Sequence, residues 1–177
     1  MGWSEELLDT LAKNGCSPAH IVELGCGIGT LLRVANARGI RCAGYDTDDE
    51  SVRYGADQYG INLKSELLKL QNLAASRDSM LVAISVLEHI KHPREILSEI
   101  STFLNRTRAS AFISVPFINS THWKTYLNDD VPCGAPPNVH VTLFSEKGFL
   151  KACKDLGIDK QTKIKAGGWH GFLLGVS

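Results

Sequence analysis

The sequence predicts a three-layer α/β sandwich built on a seven-stranded sheet, mainly parallel, with an antiparallel last strand. Short apolar segments alternate with amphipathic ones along the 177 residues, the pattern of strands and covering helices. The segment 80–86 is a nearly continuous apolar run, as expected for a strand buried on both faces of a parallel sheet. The last two strands, near 159–164 and 170–176, have no helix between them, so they should be antiparallel.

The N-terminal half alternates helices and strands. Residues 3–14 place Leu7, Leu8 and Leu11 on one face, so they predict an amphipathic helix, with Ser4 as its cap. Strands are predicted at 21–24, 41–45 and 61–63, with helices at 29–38 and 49–59 between them.

The C-terminal half continues this alternation after the buried strand 80–86. Pro93 suits the first turn of the next helix, where its missing N–H is not needed. A strand at 111–115 ends at Pro116, and Ser145 is predicted to cap the final helix.

One segment breaks the pattern. Residues 117–140 mix small polar residues and prolines with His122, Trp123 and Tyr126, and they show little periodicity. A stretch of this length within a domain is either a functional lid or disordered. We expect one domain over 1–177, with 117–140 as a lid that binds the acceptor. Trp123 and Tyr126 are either core residues of a small lid helix or an aromatic wall beside a cationic ligand.

Composition narrows the classes of partner. Lys and Arg number 19, as do Asp and Glu, so the formal net charge is zero and nothing favours a phosphate backbone or an anionic membrane. No segment approaches the ~20 apolar residues that span a bilayer. The five cysteines are odd in number and lack metal-site spacing, which fits a reducing compartment. We expect a cytoplasmic protein with no nucleic-acid or membrane partner.

The residues that carry chemistry follow predicted strand ends, where ligands bind in such sheets. Gly25, Gly27 and Gly29 come directly after the first strand, where glycines permit a tight turn and let backbone amides approach a ligand. Asp46 ends the second strand, about 20 residues later, where a carboxylate can accept hydrogen bonds from ribose hydroxyls. The pattern indicates a nucleotide-type ligand on a Rossmann-like sheet.

Two residues argue against a dinucleotide. Thr30 stands where the dinucleotide fingerprint has Gly or Ala. Glu23, inside the strand end, would repel a pyrophosphate but suits a cationic ligand; it either contacts that ligand or shapes the loop by accepting amide hydrogen bonds. A nicotinamide-dependent oxidoreductase is therefore the less favoured alternative.

Four segments carry a resemblance to a known family. The run 22–29 resembles the first motif of class I S-adenosylmethionine-dependent methyltransferases, and 44–46 resembles the acidic segment that follows it. The segments 84–90 and 140–145 are similar to those of the quinone-biosynthesis-type subgroup (methyltransferase domain 11/23-like). The resemblance covers roughly 20–157, and it implies a methyltransferase whose cofactor is S-adenosylmethionine.

The resemblance also implies which residues bind the cofactor. Asp46 would hold the ribose, while Ser85 and Val86 would line the pocket through backbone atoms and small size. The family's adenine-contacting carboxylate has no clear counterpart, which leaves Asn62 and Glu66 as candidates. The full implied set is Glu23, Gly25, Cys26, Gly27, Gly29, Asp46, Thr47, Ser85 and Val86.

Two histidines are the candidate catalytic residues. His89 and His140 are each either structural or a general base near the transferred methyl group. Glu88, His89 and His92 follow no standard metal-ligand spacing, so we expect no metal. Because the chain is short and has no basic stripe, we predict a small-molecule acceptor, with hydroxyl oxygen favoured over nitrogen or carbon. A non-catalytic S-adenosylmethionine-binding protein is the alternative.

Overall fold

The computed structural model describes residues 2–118 and 140–177, and within them seven strands form one sheet. Their order across the sheet is 3-2-1-4-5-7-6 in chain numbering. The seventh strand is antiparallel to the fifth and the sixth, and the other neighbouring pairs are parallel. The predicted fold class is therefore confirmed. The strands are β1 (His20–Leu24), β2 (Arg41–Asp46), β3 (Leu63–Ser65), β4 (Ser79–Ile84), β5 (Ser110–Ser114), β6 (Lys160–Ala166) and β7 (Trp169–Gly175).

Helices cover both faces of this sheet. Two single 3₁₀ turns, Leu70–Asn72 and Leu87–His89, follow β3 and β4. In the described part of the chain the α-helices are α1 (Trp3–Lys13), α2 (Thr30–Ala37), α3 (Asp49–Tyr59), α4 (Pro93–Thr107) and α5 (Glu146–Asp155).

The alternation of side chains along β1 divides the core into two clusters. Ile21 packs in the cluster that includes Leu32 of α2, whereas Val22 packs in the cluster that includes Phe103 of α4 and Phe149 of α5. Successive residues of a strand point to opposite faces, so one strand contributes to both clusters. The result is the three-layer arrangement that the apolar runs predict.

The ends of two helices test the predicted caps. Helix α1 begins at Trp3, and the backbone N–H of Gly2 donates to Glu5 Oε2 at 3.0 Å. Ser4 therefore lies inside the first turn and is buried. The prediction that Ser4 caps this helix is wrong, because Gly2 and Glu5 already complete the turn. Ser145 does cap α5, since its hydroxyl oxygen accepts the N–H of Gly148.

Two strand predictions are displaced. Strand β3 lies at Leu63–Ser65, two residues after its predicted position, because its pairing with β2 begins at Leu63, opposite Gly44. Strand β4 ends at Ile84 instead of residue 86, since Ser85 leaves the extended conformation. The predicted lid lies mostly outside the described residues, as do Trp123 and Tyr126.

Among the described residues, none of the helices combines the length and the hydropathy that crossing a bilayer requires.

Candidate active site

A cavity of about 650 Å³ opens at the carboxyl ends of β1, β2 and β4. The strand order reverses here, between β1 and β4, which is where open α/β sheets bind ligands. The volume lies within the ~300–1,000 Å³ usual for small-molecule sites. The predicted site residues on its wall are Gly25, Asp46, Thr47, Ser85, Val86 and His89.

The glycine loop passes close against neighbouring elements. Gly25 and Gly29 have φ values of 69° and 77°, in the left-handed region that favours glycine. A Cβ on Gly25 would overlap Val86 Cγ2, and one on Gly29 would lie 2.6 Å from Ile61 Cδ1. Both positions therefore favour glycine for conformation, and Gly25 also requires it for space, because Val86 Cγ2 lies close to its own backbone whereas Ile61 Cδ1 is the end of a flexible side chain. Gly25 also lines the cavity.

Asp46 ties this loop to the end of β2. Its Oδ2 accepts the N–H of Gly27 at 2.7 Å, and its Oδ1 accepts the N–H of Asp48 at 3.0 Å. The N–H of Gly25 donates to the carbonyl oxygen of Tyr45 at 2.7 Å. A carboxylate oxygen can accept more than one hydrogen bond, so Asp46 holds the loop and still presents acceptor capacity to the cavity.

Glu23 lies behind the loop instead of on the cavity wall. Its side chain is buried, and its Oε2 has no hydrogen-bond partner in the described part of the chain. Burial, followed by the nearby charge of Asp46, raises the pKa of the Glu23 carboxyl to about 8. In the described part of the chain no loop amide donates to this carboxyl group, so both roles left open for Glu23 stay predictions. Cys26, Gly27 and Gly29 are not among the residues that line the cavity.

Ser85 turns the chain at the end of β4. Its φ is 53°, a left-handed value that is uncommon for a residue other than glycine. Its N–H donates to the carbonyl oxygen of Ser114 in β5 at 2.9 Å, which holds the turn against the sheet. Val86 is thereby placed against Gly25, and both Ser85 and Val86 line the cavity.

The wall opposite the glycine loop comes from the segment after β3 and from α4. Glu66 lies on it, as one of the two candidates for the adenine contact. Asn62 does not, and its carbonyl oxygen accepts the N–H of Gly44 at 2.9 Å. Sequence reasoning missed Gln71 and Glu99 on this wall, because the pattern does not separate polar side chains that face a cavity from those that face solvent.

The two candidate catalytic histidines come together at the edge of the cavity. The ring centroids of His89 and His140 are 4.8 Å apart, at an interplanar angle of 75°. The backbone fixes this approach, since the N–H groups of Val141 and Thr142 both donate to the carbonyl oxygen of Glu88, at 2.9 and 3.0 Å. The Thr142 hydroxyl also donates to the carbonyl oxygen of Ile90 at 2.9 Å.

The carboxyl group of Glu88 lies close to these two histidines. The sequence does not predict this grouping. One ligand atom from each of Glu88, His89 and His140 lies within 4.8 Å of the others. His92, which the sequence grouped with Glu88, is exposed at the N-cap position of α4 and makes no side-chain cap hydrogen bond there. Sequence spacing does not reveal this grouping, because His140 is distant from Glu88 and His89 along the chain.

Comparison with known proteins then identifies the family. The model of the methyltransferase domain family matches residues 3–162.

The chain belongs to the methyltransferase domain family. It is a methyltransferase, and its cofactor is S-adenosylmethionine, as the sequence predicts. The cavity size, the close passage of Gly25 and the remaining acceptor capacity of Asp46 fit a ligand of this kind. No curated protein matches the sequence.

Solved structures similar to this methyltransferase share its fold. Magnesium protoporphyrin IX methyltransferase from Synechocystis, with bound SAH, is 18% identical with a TM-score of 0.65, over 97% of this chain and 80% of that one. Human N-acetylserotonin methyltransferase, in complex with SAM, is 12% identical with a TM-score of 0.68, over 98% and 51%. The mitomycin 7-O-methyltransferase MmcR is 16% identical with a TM-score of 0.64, over 92% and 50%.

Proposed function

We propose that this methyltransferase transfers a methyl group to a hydroxyl oxygen of a small-molecule acceptor. The observation that carries the proposal is the pairing of His89 and His140, 4.8 Å apart, where His89 lines the cavity. A hydroxyl must lose a proton during methylation, and imidazole is the side chain best suited to accept one near neutral pH. An amine or an activated carbon has less need of such a base.

The cofactor would occupy the glycine-loop side of the cavity. Asp46 would accept hydrogen bonds from the ribose, the Gly25 backbone would approach the ligand closely, and Ser85 and Val86 would form the wall beside it. When bound, S-adenosylmethionine supplies a methyl group that its sulfonium has already activated. Glu23 would act from behind, through the shape and charge of the loop.

The remaining work of the chain is to orient the acceptor and to take its proton. Correct orientation of two reactants lowers a barrier by several kcal/mol, roughly 7–11 at best. The apolar side chains of Leu68 and Ile96 on the opposite cavity wall support a flat or partly apolar acceptor. The structural neighbour named as a 7-O-methyltransferase is consistent with transfer to oxygen.

Several finer points stay predictions. The quinone-biosynthesis-type subgroup rests on the segments 84–90 and 140–145. The single domain over 1–177, with the lid at 117–140, rests on the sequence pattern. The cytoplasmic location and the absence of nucleic-acid or membrane partners rest on composition.

A mass-spectrometric acceptor screen tests the proposal. The protein is incubated with S-adenosylmethionine and a panel of phenols, catechols, alcohols, amines and activated carbon acids. We expect a mass gain of one methyl group on a hydroxyl compound, with S-adenosylhomocysteine formed in equal amount. Methylation confined to amines, carbon acids, protein or RNA would contradict it. Cofactor binding without turnover on any acceptor would instead support the non-catalytic alternative.

A further inference from the structure

The carboxyl group of Glu88 is buried beside His89, which lines the cavity. Its side chain is 1% exposed, and neither of its oxygens has a hydrogen-bond partner in the described part of the chain. Buried carboxylates are normally hydrogen-bonded, paired with a cation or bound to a metal. Within the described residues, the 3₁₀ turn Leu87–His89 therefore holds a buried carboxyl group that is available to an external ligand.

The neighbours of this carboxyl group define what that ligand is. His89 and His140 each bring a ring nitrogen to within 4.8 Å of the other two ligand atoms. Zinc bonds to imidazole nitrogen and carboxylate oxygen are about 2.0–2.2 Å long, so small side-chain rotations bring the three atoms onto one ion. Two imidazoles and a carboxylate suit divalent transition metals, whereas Mg²⁺ and Ca²⁺ prefer oxygen ligands.

The backbone also holds this group together. Val141 and Thr142 donate their N–H groups to the carbonyl oxygen of Glu88, so the residue that carries the carboxylate also anchors the segment that carries His140. The three ligands thus come from two chain segments joined by two direct hydrogen bonds. Such an arrangement is built before any ion binds.

We propose that Glu88, His89 and His140 bind one divalent transition-metal ion, of which Zn²⁺ is the probe, at the edge of the cavity. The three protein ligands leave at least one coordination position for a water or a substrate oxygen, as in catalytic zinc sites. The expectation of no metal was based on the spacing of Glu88, His89 and His92, which could not include His140.

The role of the ion rests on the proposed function, although its binding does not. An acceptor hydroxyl that reaches the open position loses its proton to water more readily, because the cation stabilises the resulting oxyanion. The ion would also fix the direction of that oxygen. In the metal-bound protein the two imidazoles act as ligands, and the ion takes over the activation that is assigned above to a histidine base.

A titration tests the binding. The full chain is freed of metal with a chelator that is then removed, and Zn²⁺ and Mg²⁺ binding are measured separately by calorimetry. We expect one tight Zn²⁺ per chain, weak or no Mg²⁺ binding, and Zn²⁺ affinity at least ~10-fold lower in Glu88→Gln and His140→Ala. The exposed His92→Gln is the matched control and should bind Zn²⁺ normally.

Folding and the proposed function are checked in the same samples. Binding of S-adenosylhomocysteine to each variant, measured with chelator present, reports a folded cofactor site. If wild type binds S-adenosylhomocysteine but shows no Zn²⁺ binding at 100-micromolar concentration, a value on the order of weak metal sites, the metal site is refuted and the methyltransferase is not. Zn²⁺ affinity that is the same in wild type and in both ligand variants would refute the site equally.

The activity screen then tests the role. With a hydroxyl acceptor in hand, chelator should lower turnover at least ~10-fold, and added Zn²⁺ should restore it in wild type and in His92→Gln but not in Glu88→Gln. If the protein binds Zn²⁺ but chelator does not change its turnover, the proposed role of the ion in activating the acceptor is overturned.

Discussion

Asp46 performs two tasks with one carboxylate. It accepts the N–H groups of Gly27 and Asp48, and it lines the cavity in which we propose that the cofactor binds. Its loss should therefore affect both the shape of the glycine loop and the proposed contact with the ribose. A substitution at this residue should change stability and affinity together.

Replacement of Asp46 by Ala should lower the affinity for S-adenosylhomocysteine by at least ~10-fold, because hydrogen bonds to a charged group contribute about 1.5–3 kcal/mol each. Thermal unfolding should also occur at a lower temperature, since two backbone amides lose their acceptor. Calorimetry and a melting curve measure the two effects. Asp49→Ala is the control, because Asp49 is an exposed neighbour whose one ion pair within the described residues is with Arg53. Unchanged affinity in Asp46→Ala would rule out the ribose role.

The buried carboxyl group of Glu23 should make stability depend on pH. Burial and then Asp46 raise its pKa from 4.5 to about 8 in the folded protein. Between these values the folded state keeps a proton that the unfolded state has lost, so the free energy of unfolding falls as pH rises. Above about pH 8 this contribution is lost and the dependence levels off.

Glu23→Gln should remove that dependence. The variant should gain stability relative to wild type between pH 5 and 9, by an amount on the order of a few kcal/mol. Urea unfolding at several pH values measures the difference. Parallel stability curves for wild type and Glu23→Gln over this range would show that Glu23 is ionised in the folded protein.

At the scale of elements, the glycine loop and the turn after β4 fit against each other. A Cβ on Gly25 would overlap Val86, so the two elements approach this closely only because residue 25 is glycine. Ser85 places Val86 at this contact with a left-handed φ of 53°.

Gly25→Ala should therefore disrupt the site, with a loss of ~1–3 kcal/mol in the free energy of unfolding and weaker S-adenosylhomocysteine binding. The matched control is Gly60→Ala, because Gly60 also has a positive φ, 61°, but has open space around it. It should show only the cost of the backbone conformation and bind normally. Equal effects of both substitutions would mean that the contact with Val86 is unimportant.

The sequence predicts the boundaries of an element well where neighbouring residues determine them, and poorly where tertiary contacts do. Helix α3 lies at its predicted residues, since Asp48 caps it through the N–H groups of Glu50 and Ser51 and Gly60 ends it. The end of β4 was misplaced, because Ser85 takes its conformation from contacts with β5 and not from its neighbours in sequence. Local capping is visible in a sequence, whereas a tertiary hydrogen bond is not.

At the scale of the whole molecule, the sheet brings together residues that sequence distance separates. The glycine loop, Asp46 and the end of β4 were predicted to meet, because all three follow parallel strands and such ends share one edge. The proximity of Glu88 and His140 was not predicted, because His140 precedes a helix and follows no strand in the described residues. The glycine-loop side of the site was therefore predictable from the sequence, and the side that carries His140 was not.

The two core clusters should also make the cysteine thiols slow to react with reagents in solution. Burial raises the pKa of all four cysteines in the described residues, to about 12 for Cys26 and Cys153 and about 11 for Cys42, with Cys16 also raised. The thiolate is the reactive form. A Cys133→Ser variant should therefore react slowly with Ellman's reagent when folded and release four equivalents in denaturant. Rapid reaction of the folded variant would contradict this packing.

The hydrogen bond from Gly27 to Asp46 bears on when the glycine loop becomes ordered. Because the bond joins two groups of the chain itself, the loop acquires its shape when the protein folds, and not when the cofactor arrives. The loop loses its conformational entropy during folding, so this loss does not reduce the affinity for the cofactor. The amide proton of Gly27 should accordingly exchange slowly with deuterated solvent in the ligand-free protein, and Asp46→Ala should make that exchange fast.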